Sequence, residues 1–179
     1  RAEKHNTKRH LNEYTSLDFE MGYIDGFEDL MAMETGFLQY TMELLEKDYS
    51  RELKILGVEL PKADQIPAVR FDEIKRLVSE KYGRKIRNPF DLEPEEETLI
   101  SRYAKEEWDA DFVFVTHYPT KKRPFYAMED PEDSTYTLSF DLLFRGMENT
   151  TGGQRIHDYG QLTAKMEKRG MTEEGMEQY

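Results

Sequence analysis

Three groups of residues in this chain combine charge and spacing in ways that suit catalysis or ligand binding. The first is residues 1–21, RAEKHNTKRHLNEYTSLDFEM. Arg1, Lys4, Lys8, Arg9 and His10 fall within ten residues and can hold a polyphosphate. The strand beyond them carries Tyr14, Asp18 and Glu20 on its polar side. The plain alternative is a solvated charged loop before an edge strand. The second cluster is Asp141 with Glu148, both near a glycine-rich turn. Two carboxylates converging on one point suit a hard divalent cation such as Mg²⁺, which takes oxygen ligands and bridges phosphates. The alternative is two surface acids in a chain with 37 of them. The third is RGMENTTGGQRIH, residues 145–157. Gly152 and Gly153 let backbone come close to a ligand, and Arg155 can grip a carboxylate through two parallel donors. Its alternative is a β-bulge and then a surface arginine.

Periodicity and punctuation define the secondary structure around these clusters. From Tyr14 to Tyr23 the pattern alternates, with Leu17, Phe19, Met21 and Tyr23 on the packed side, which predicts a strand. Residues 27–56 predict one long helix, with Leu30, Met31, Phe37, Leu38, Met42, Leu45 and Tyr49 as its buried stripe and Gly57 as its stop. A connector with Pro61 and Pro67 ends in a short strand before residue 70. Phe71 to Tyr82 reads as a helix closed by Gly83. Residues 94–108 read as another, with Pro94 and three glutamates at its start, where the helix dipole favours acids.

Phe112 to Val115 is a buried strand by its apolar run, and Lys121 to Pro124 is a basic loop. Residues 135–142 alternate into a half-buried strand that puts Asp141 with Thr137 and Ser139. Gly152-Gly153 interrupts the next stretch, Arg155 to His157 can resume a strand, and residues 158–179 read as helix broken at Gly170. Asp141 and Glu148 are seven residues apart, an odd step that a single regular strand would send to opposite faces. Gly146 or a bulge must correct this if both reach one cation. The fold class this predicts is α+β, an antiparallel sheet flanked by helices.

Composition narrows the function classes. The chain has 179 residues and a formal net charge of -12. That acidity argues against a general nucleic-acid coat protein, because phosphate binding needs clustered Lys and Arg, but leaves room for an RNA held by a local patch. With 37% hydrophobic and 12% aromatic residues, a core can form. Cysteine is absent, which excludes disulfides and thiolate metal sites. No apolar run approaches the roughly 20 residues of a membrane helix, and no stretch has the form of a secretory signal. The chain starts at Arg1, inside a motif, and is expected to be a piece of a longer cytoplasmic protein.

Residues 1–21 resemble motif 2 of the class II aminoacyl-tRNA synthetases in its aspartyl and asparaginyl form: Arg-Ala-Glu, a loop with Thr-x-Arg-His, Glu-Tyr, then Asp-x-Glu-Met. FDLLFRGMENTTGGQRIH, residues 140–157, resembles the segment between motifs 2 and 3, and its Arg-Gly-x-Glu and Gly-x-Gln-Arg-Ile-His look like the aspartyl branch. The likeness covers most of the chain and is strongest to the archaeal-type aspartyl enzymes.

The resemblance implies roles. Arg1 matches the catalytic arginine on the ATP α-phosphate, Glu3 the acid beside the adenine amino group, and Arg9 and His10 the loop residues that reach the γ-phosphate. Tyr14 sits where the family stacks an aromatic ring on adenine. Asp141 and Glu148 match the Mg²⁺ ligands and, through the metal, the ATP site. Thr151 lies where the aspartyl enzymes place a hydroxyl near the amino acid, and Arg155 matches the arginine that recognises the aspartate carboxylate.

The implied activity is ATP- and Mg²⁺-dependent activation of aspartate as aspartyl-adenylate and its transfer to tRNA, by a protein that is a homodimer at full length. Motif 1, motif 3 and the anticodon-binding domain would lie outside residues 1–179, so the chain alone is expected to be inactive. Two further readings share the chemistry: a synthetase-like paralogue that makes asparagine or another product from the same adenylate, and an asparaginyl-tRNA synthetase. A non-catalytic module on the same fold is the reading from a different class.

Overall fold

The computed structural model describes residues 11–172 and 174–175. Two core clusters lie on opposite faces of one sheet. The sheet has four strands in sequential order: β1 (Ala68–Arg70), β2 (Phe112–Thr116), β3 (Ser139–Phe144) and β4 (Met147–Gly153). β1 runs parallel to β2, while β2/β3 and β3/β4 are antiparallel. The α+β class therefore holds with a mixed sheet. The parallel pair arises because the chain between β1 and β2 crosses over through two helices, and an antiparallel return needs no such crossover.

Those helices, α3 (Phe71–Tyr82) and α4 (Pro94–Trp108), have the limits their punctuation predicts. Gly83 closes α3 at φ 66°, a conformation glycine reaches without a Cβ clash. Pro94 opens α4, and Glu96 accepts a hydrogen bond from the Glu93 amide at 2.9 Å. Ile74, Val78, Ile100 and Ala104 from these helices bury against Val113, Val115 and Leu143 of the sheet. Lys75 pins the arrangement from within. Its ammonium meets Glu96 at 3.1 Å and the carbonyls of Asn88 and Asp91 at 2.6 and 2.7 Å. All three ammonium donors are thereby used, and removing one partner of so buried a pair costs about 3–5 kcal/mol.

The opposite face is covered by α1 (Glu28–Asp48), through Leu38 and the adjoining Phe27, which pack on Phe112, Phe114, Phe140 and Leu142. The single helix expected over 27–56 is two helices. Tyr49 leaves helical geometry at φ -123°, and α2 (Ser50–Leu56) restarts beyond it, ending at Gly57 with φ 63°. Asp48 and Ser50 flank the break, and short polar side chains of this kind compete with the helix backbone for hydrogen bonds. Of the expected stripe, Leu38 is buried and Leu30, Met31 and Met42 are partly so, whereas Phe37 and Tyr49 are exposed.

The strand expected from Tyr14 to Tyr23 does not form as a regular strand. Its alternating side chains find no ladder to join among the described elements, and Leu17 and Phe19 stay exposed at 78% and 52%. The alternation in β3 predicts a half-buried strand, but β3 is buried on both sides because helices cover both faces of the sheet. Helix α5 (Tyr159–Lys168), capped by Asp158 on the Gln161 amide at 2.8 Å, is the last of the described elements. Among the described residues, no helix is long and apolar enough to cross a membrane.

Candidate active site

The β3–β4 hairpin brings the predicted carboxylates to one face by its turn, and Thr151 to the same face by a slip in the ladder. Phe144 pairs with Met147, so the turn consists of Arg145 and Gly146. Both have positive φ, 47° and 92°, the form that matches strand twist in a two-residue hairpin. The turn is tied down by the Gly146 amide on Ser101 Oγ of α4, 2.8 Å. Reversing the chain here sets Glu148 opposite Leu143, two residues from Asp141 and therefore on Asp141's side of the sheet. The ladder then slips. Leu142 pairs with Thr150 but Leu143 with Glu148, leaving Asn149 as a bulge. That extra residue brings Thr151, rather than Thr150, directly across from Asp141. Thr151 Oγ1 donates to Glu148 Oε1 at 2.8 Å.

Asp141, Glu148 and Thr151 thus share the face that also packs α3 and α4. Glu148 is accessible along the strand edge, yet its carboxyl is partly withdrawn from water. That desolvation, reinforced by the neighbouring Asp141 charge, holds its pKa above the usual carboxylate range. Two acids that repel each other beside a hydroxyl make an all-oxygen donor set. It fits Mg²⁺, which binds through one or two carboxylates and keeps several waters. Among the described residues no group of three or more His, Asp or Glu gathers for a metal, and this site offers two carboxylates.

A cation of the protein already stands at this site. Arg123 Nη2 lies 2.7 Å from Asp141 Oδ1, its Nε donates to Ser139 Oγ at 3.2 Å, and its guanidinium covers the Tyr118 ring at 4.0 Å. Thr137 Oγ1 continues the chain, 2.8 Å from Ser139 Oγ. Alternation alone sets Thr137 and Ser139 beside Asp141, as observed, but leaves Arg123 in an undifferentiated basic loop. Tyr118 reaches this face through a backbone irregularity. Strict alternation along β2 would put Tyr118 with Phe112 and Phe114 on the α1 side. His117 instead takes φ 57°, which breaks the alternation, turns its own ring edge-on to Phe27 at 5.3 Å, and packs Tyr118 into the α3/α4 cluster. There the phenol is 2% exposed. Burial first, and the Asp141 charge second, push its pKa well up, so it stays neutral.

Gly152 and Gly153 do not interrupt β4; the strand runs through them. Their lack of side chains is required by the protein's own packing. A Cβ on Gly152 would fall 2.3 Å from the Phe140 ring, and one on Gly153 2.8 Å from Ser139 Cβ. Just beyond, Arg155 bridges to Ala127 as an isolated pair and does not resume a strand. Its guanidinium meets Glu20 at 2.7 Å and lies 4.9 Å from the Tyr126 ring centre, with the side chain half exposed. Glu20, which carried no assigned role beyond the polar side of its segment, is therefore an anion held by Arg155. Tyr14 belongs to the same segment and is 38% exposed. Arg1, Glu3, Arg9 and His10 lie outside the described residues.

The chain matches the family of class II tRNA synthetases (D, K and N) over residues 1–179. The Aspartate--tRNA(Asp/Asn) ligases of Aeropyrum pernix and Thermus thermophilus are each 45% identical to it, over all of this chain and 41% and 42% of their own lengths. The chain therefore spans about two-fifths of those relatives. Among solved structures, an aspartyl tRNA synthetase from Entamoeba histolytica superposes with a TM-score of 0.90 at 27% identity, over the whole chain and 38% of that protein. Asparaginyl-tRNA synthetase from Pyrococcus horikoshii complexed with asparaginyl-adenylate reaches a TM-score of 0.84 at 27% identity, over 99% of this chain and 41% of that one. A family match from the first residue to the last, on a fold these enzymes share, places the chain in the class II tRNA synthetases of the D, K and N group.

Proposed function

We propose that this chain is catalytic-domain sequence of an aspartate–tRNA ligase. The observation that carries the reading is Arg155. Its guanidinium already holds a carboxylate oxygen, Oε1 of Glu20, 2.7 Å from Nη2, in a chain 45% identical to proteins named Aspartate--tRNA(Asp/Asn) ligase. A substrate carboxylate has the same geometry and charge as the Glu20 group.

The chemistry then runs in two transfers. The α-carboxylate of aspartate attacks the α-phosphorus of ATP, an O–P bond forms, and pyrophosphate leaves with the electrons of the broken bond. The 3′-terminal hydroxyl of tRNA next attacks the activated carbonyl and AMP departs. The nucleophile of the first step is already an anion, so no general base is required, and catalysis is positioning and charge neutralisation.

Arg155 orients the aspartate side chain, and Thr151 presents a hydroxyl beside it. Tyr14 offers a ring face for adenine, with Glu3 at the adenine amino group. Arg1 neutralises charge at the α-phosphate, and Arg9 and His10 reach the γ-phosphate. Asp141 and Glu148 would hold Mg²⁺, which supplies positive charge to the polyphosphate. The reading carries with it aspartate, ATP and tRNA as partners, a homodimer, and a cytoplasmic location.

A second reading, activation of asparagine, is favoured by the likeness to the asparaginyl enzyme complexed with asparaginyl-adenylate. Pyrophosphate exchange into ATP by the intact protein separates the two. Exchange driven by aspartate and not by asparagine is the expected result; exchange driven by asparagine alone would replace the assignment.

A further inference from the structure

Arg123 is the cation of the site face that the proposed chemistry leaves without a task. Its side chain is almost fully buried, and so is that of Asp141, 18 residues away in sequence. A guanidinium so shielded is held by what it touches. Nη2 bonds Asp141, Nε bonds Ser139, and the plane lies over Tyr118. Across the ladder from Asp141 stands Thr151, hydrogen-bonded to Glu148. The ladder sets Glu148 opposite Leu143, two residues from Asp141 and on the same face. Asp141, buried beside a second acid, needs positive charge whether or not a metal is present, because a shielded carboxylate is costly to leave unpaired and like charges repel.

We propose that Arg123 is a positioning residue, the built-in counter-ion that holds the Asp141 carboxylate in place until a divalent cation joins the site. The proposal rests on the reading of Asp141 and Glu148 as cation ligands and is independent of which amino acid is activated. It has a consequence opposite to that of an ordinary structural arginine. Arg123 stabilises the site without metal but opposes the approach of a second cation, so its removal should tighten divalent-cation binding. Lysine in its place keeps the charge and should keep the weaker affinity.

The test is Mn²⁺ binding, read by electron paramagnetic resonance on the intact protein that carries this chain, without nucleotide or amino acid. Arg123→Gln should bind Mn²⁺ about tenfold more tightly than the unsubstituted protein, the effect expected of deleting one unit charge at the edge of a partly shielded site. Arg123→Lys should remain within about twofold by the same reasoning. The thermal midpoint without metal should fall in the Gln variant, and Mn²⁺ should restore it by more than it raises the unsubstituted protein.

If Arg123→Gln folds only with Mn²⁺, the cation has replaced the missing charge and the proposal stands; a variant that stays unfolded in saturating Mn²⁺ overturns it. Unchanged or weaker Mn²⁺ binding by a folded Arg123→Gln also overturns it. Glu148→Gln reports on the underlying cation reading separately. If that change leaves Mn²⁺ binding intact, the ligand assignment fails. If it abolishes binding while Arg123→Gln does not tighten it, only the role of Arg123 is lost.

Discussion

Asp141 lies directly across the β3–β4 ladder from Thr151, and not from Thr150, because Asn149 bulges out of β4. One extra residue decides which hydroxyl faces the carboxylate pair. The same slip sends Thr150 to the α1 side, where it comes within hydrogen-bonding reach of Glu34. The hairpin thus carries two different environments on its two faces, a site of oxygen donors on one and a helix contact through Thr150 and Glu34 on the other.

Glu34 is 5% exposed on α1, with Oε2 buried and unbonded. Burial raises its pKa, and the Thr150 hydroxyl offsets part of that. A carboxyl group whose folded pKa is raised contributes stability below its unfolded pKa and loses it as pH rises through the folded value. The protein should therefore lose stability across the range just above ordinary carboxylate titration. Glu34→Gln should remove that part of the slope. Denaturant unfolding at stepped pH checks this, and an identical slope in the variant would show that Glu34 is charged without cost.

Gly152→Ala should destabilise the fold by about 1–3 kcal/mol, the cost of forcing extra volume into a packed site. The added methyl meets the Phe140 ring at 2.3 Å, and Phe140 is itself stacked on Phe27. Phe140→Leu in the same protein should return part of the loss, since the clash is with the ring. Thermal denaturation of the single and double variants measures both. Additive losses in the double variant would place the strain elsewhere.

His117→Val should cost about 1–2 kcal/mol, because a β-branched residue is poorly accommodated at φ 57°. His117→Gly should cost less at the backbone, although it loses the contact with Phe27. Near-ultraviolet circular dichroism of Tyr118 and its neighbours reports whether the ring keeps its packing. A valine variant as stable as the glycine one would mean that the left-handed turn is not required.

Much of the fold was legible because local punctuation agreed with tertiary packing. Gly83, Pro94 and the glutamates after it limited α3 and α4 at the residues where the helices end and begin. β4 was not legible. MENTTGG has neither apolar alternation nor β-branched density, and it is a strand because β3 pairs with it. The stretch from Tyr14 to Tyr23 failed in the opposite way, alternating well without a ladder to join among the described residues. At the site, Asp141 and Glu148 stood out by type and spacing, Thr151 only by the family resemblance, and the need for a turn or bulge was readable from parity. Arg123 and Tyr118 were not, because their places depend on the left-handed His117 and on contacts spanning many residues.

The reading of this chain as an aspartate-activating enzyme turns most directly on Arg155. The measurement is pyrophosphate exchange by the intact protein with aspartate and with asparagine, before and after Arg155→Leu. With aspartate, kcat/KM should fall at least about thirtyfold, matching the roughly 2–5 kcal/mol lost when one partner of a hydrogen-bonded charge pair is removed. The Michaelis constant for ATP should change little, because the proposal assigns the ATP contacts to other residues. Near-normal aspartate kinetics in the Leu variant would contradict the aspartate reading and leave Arg155 as a surface arginine paired with Glu20.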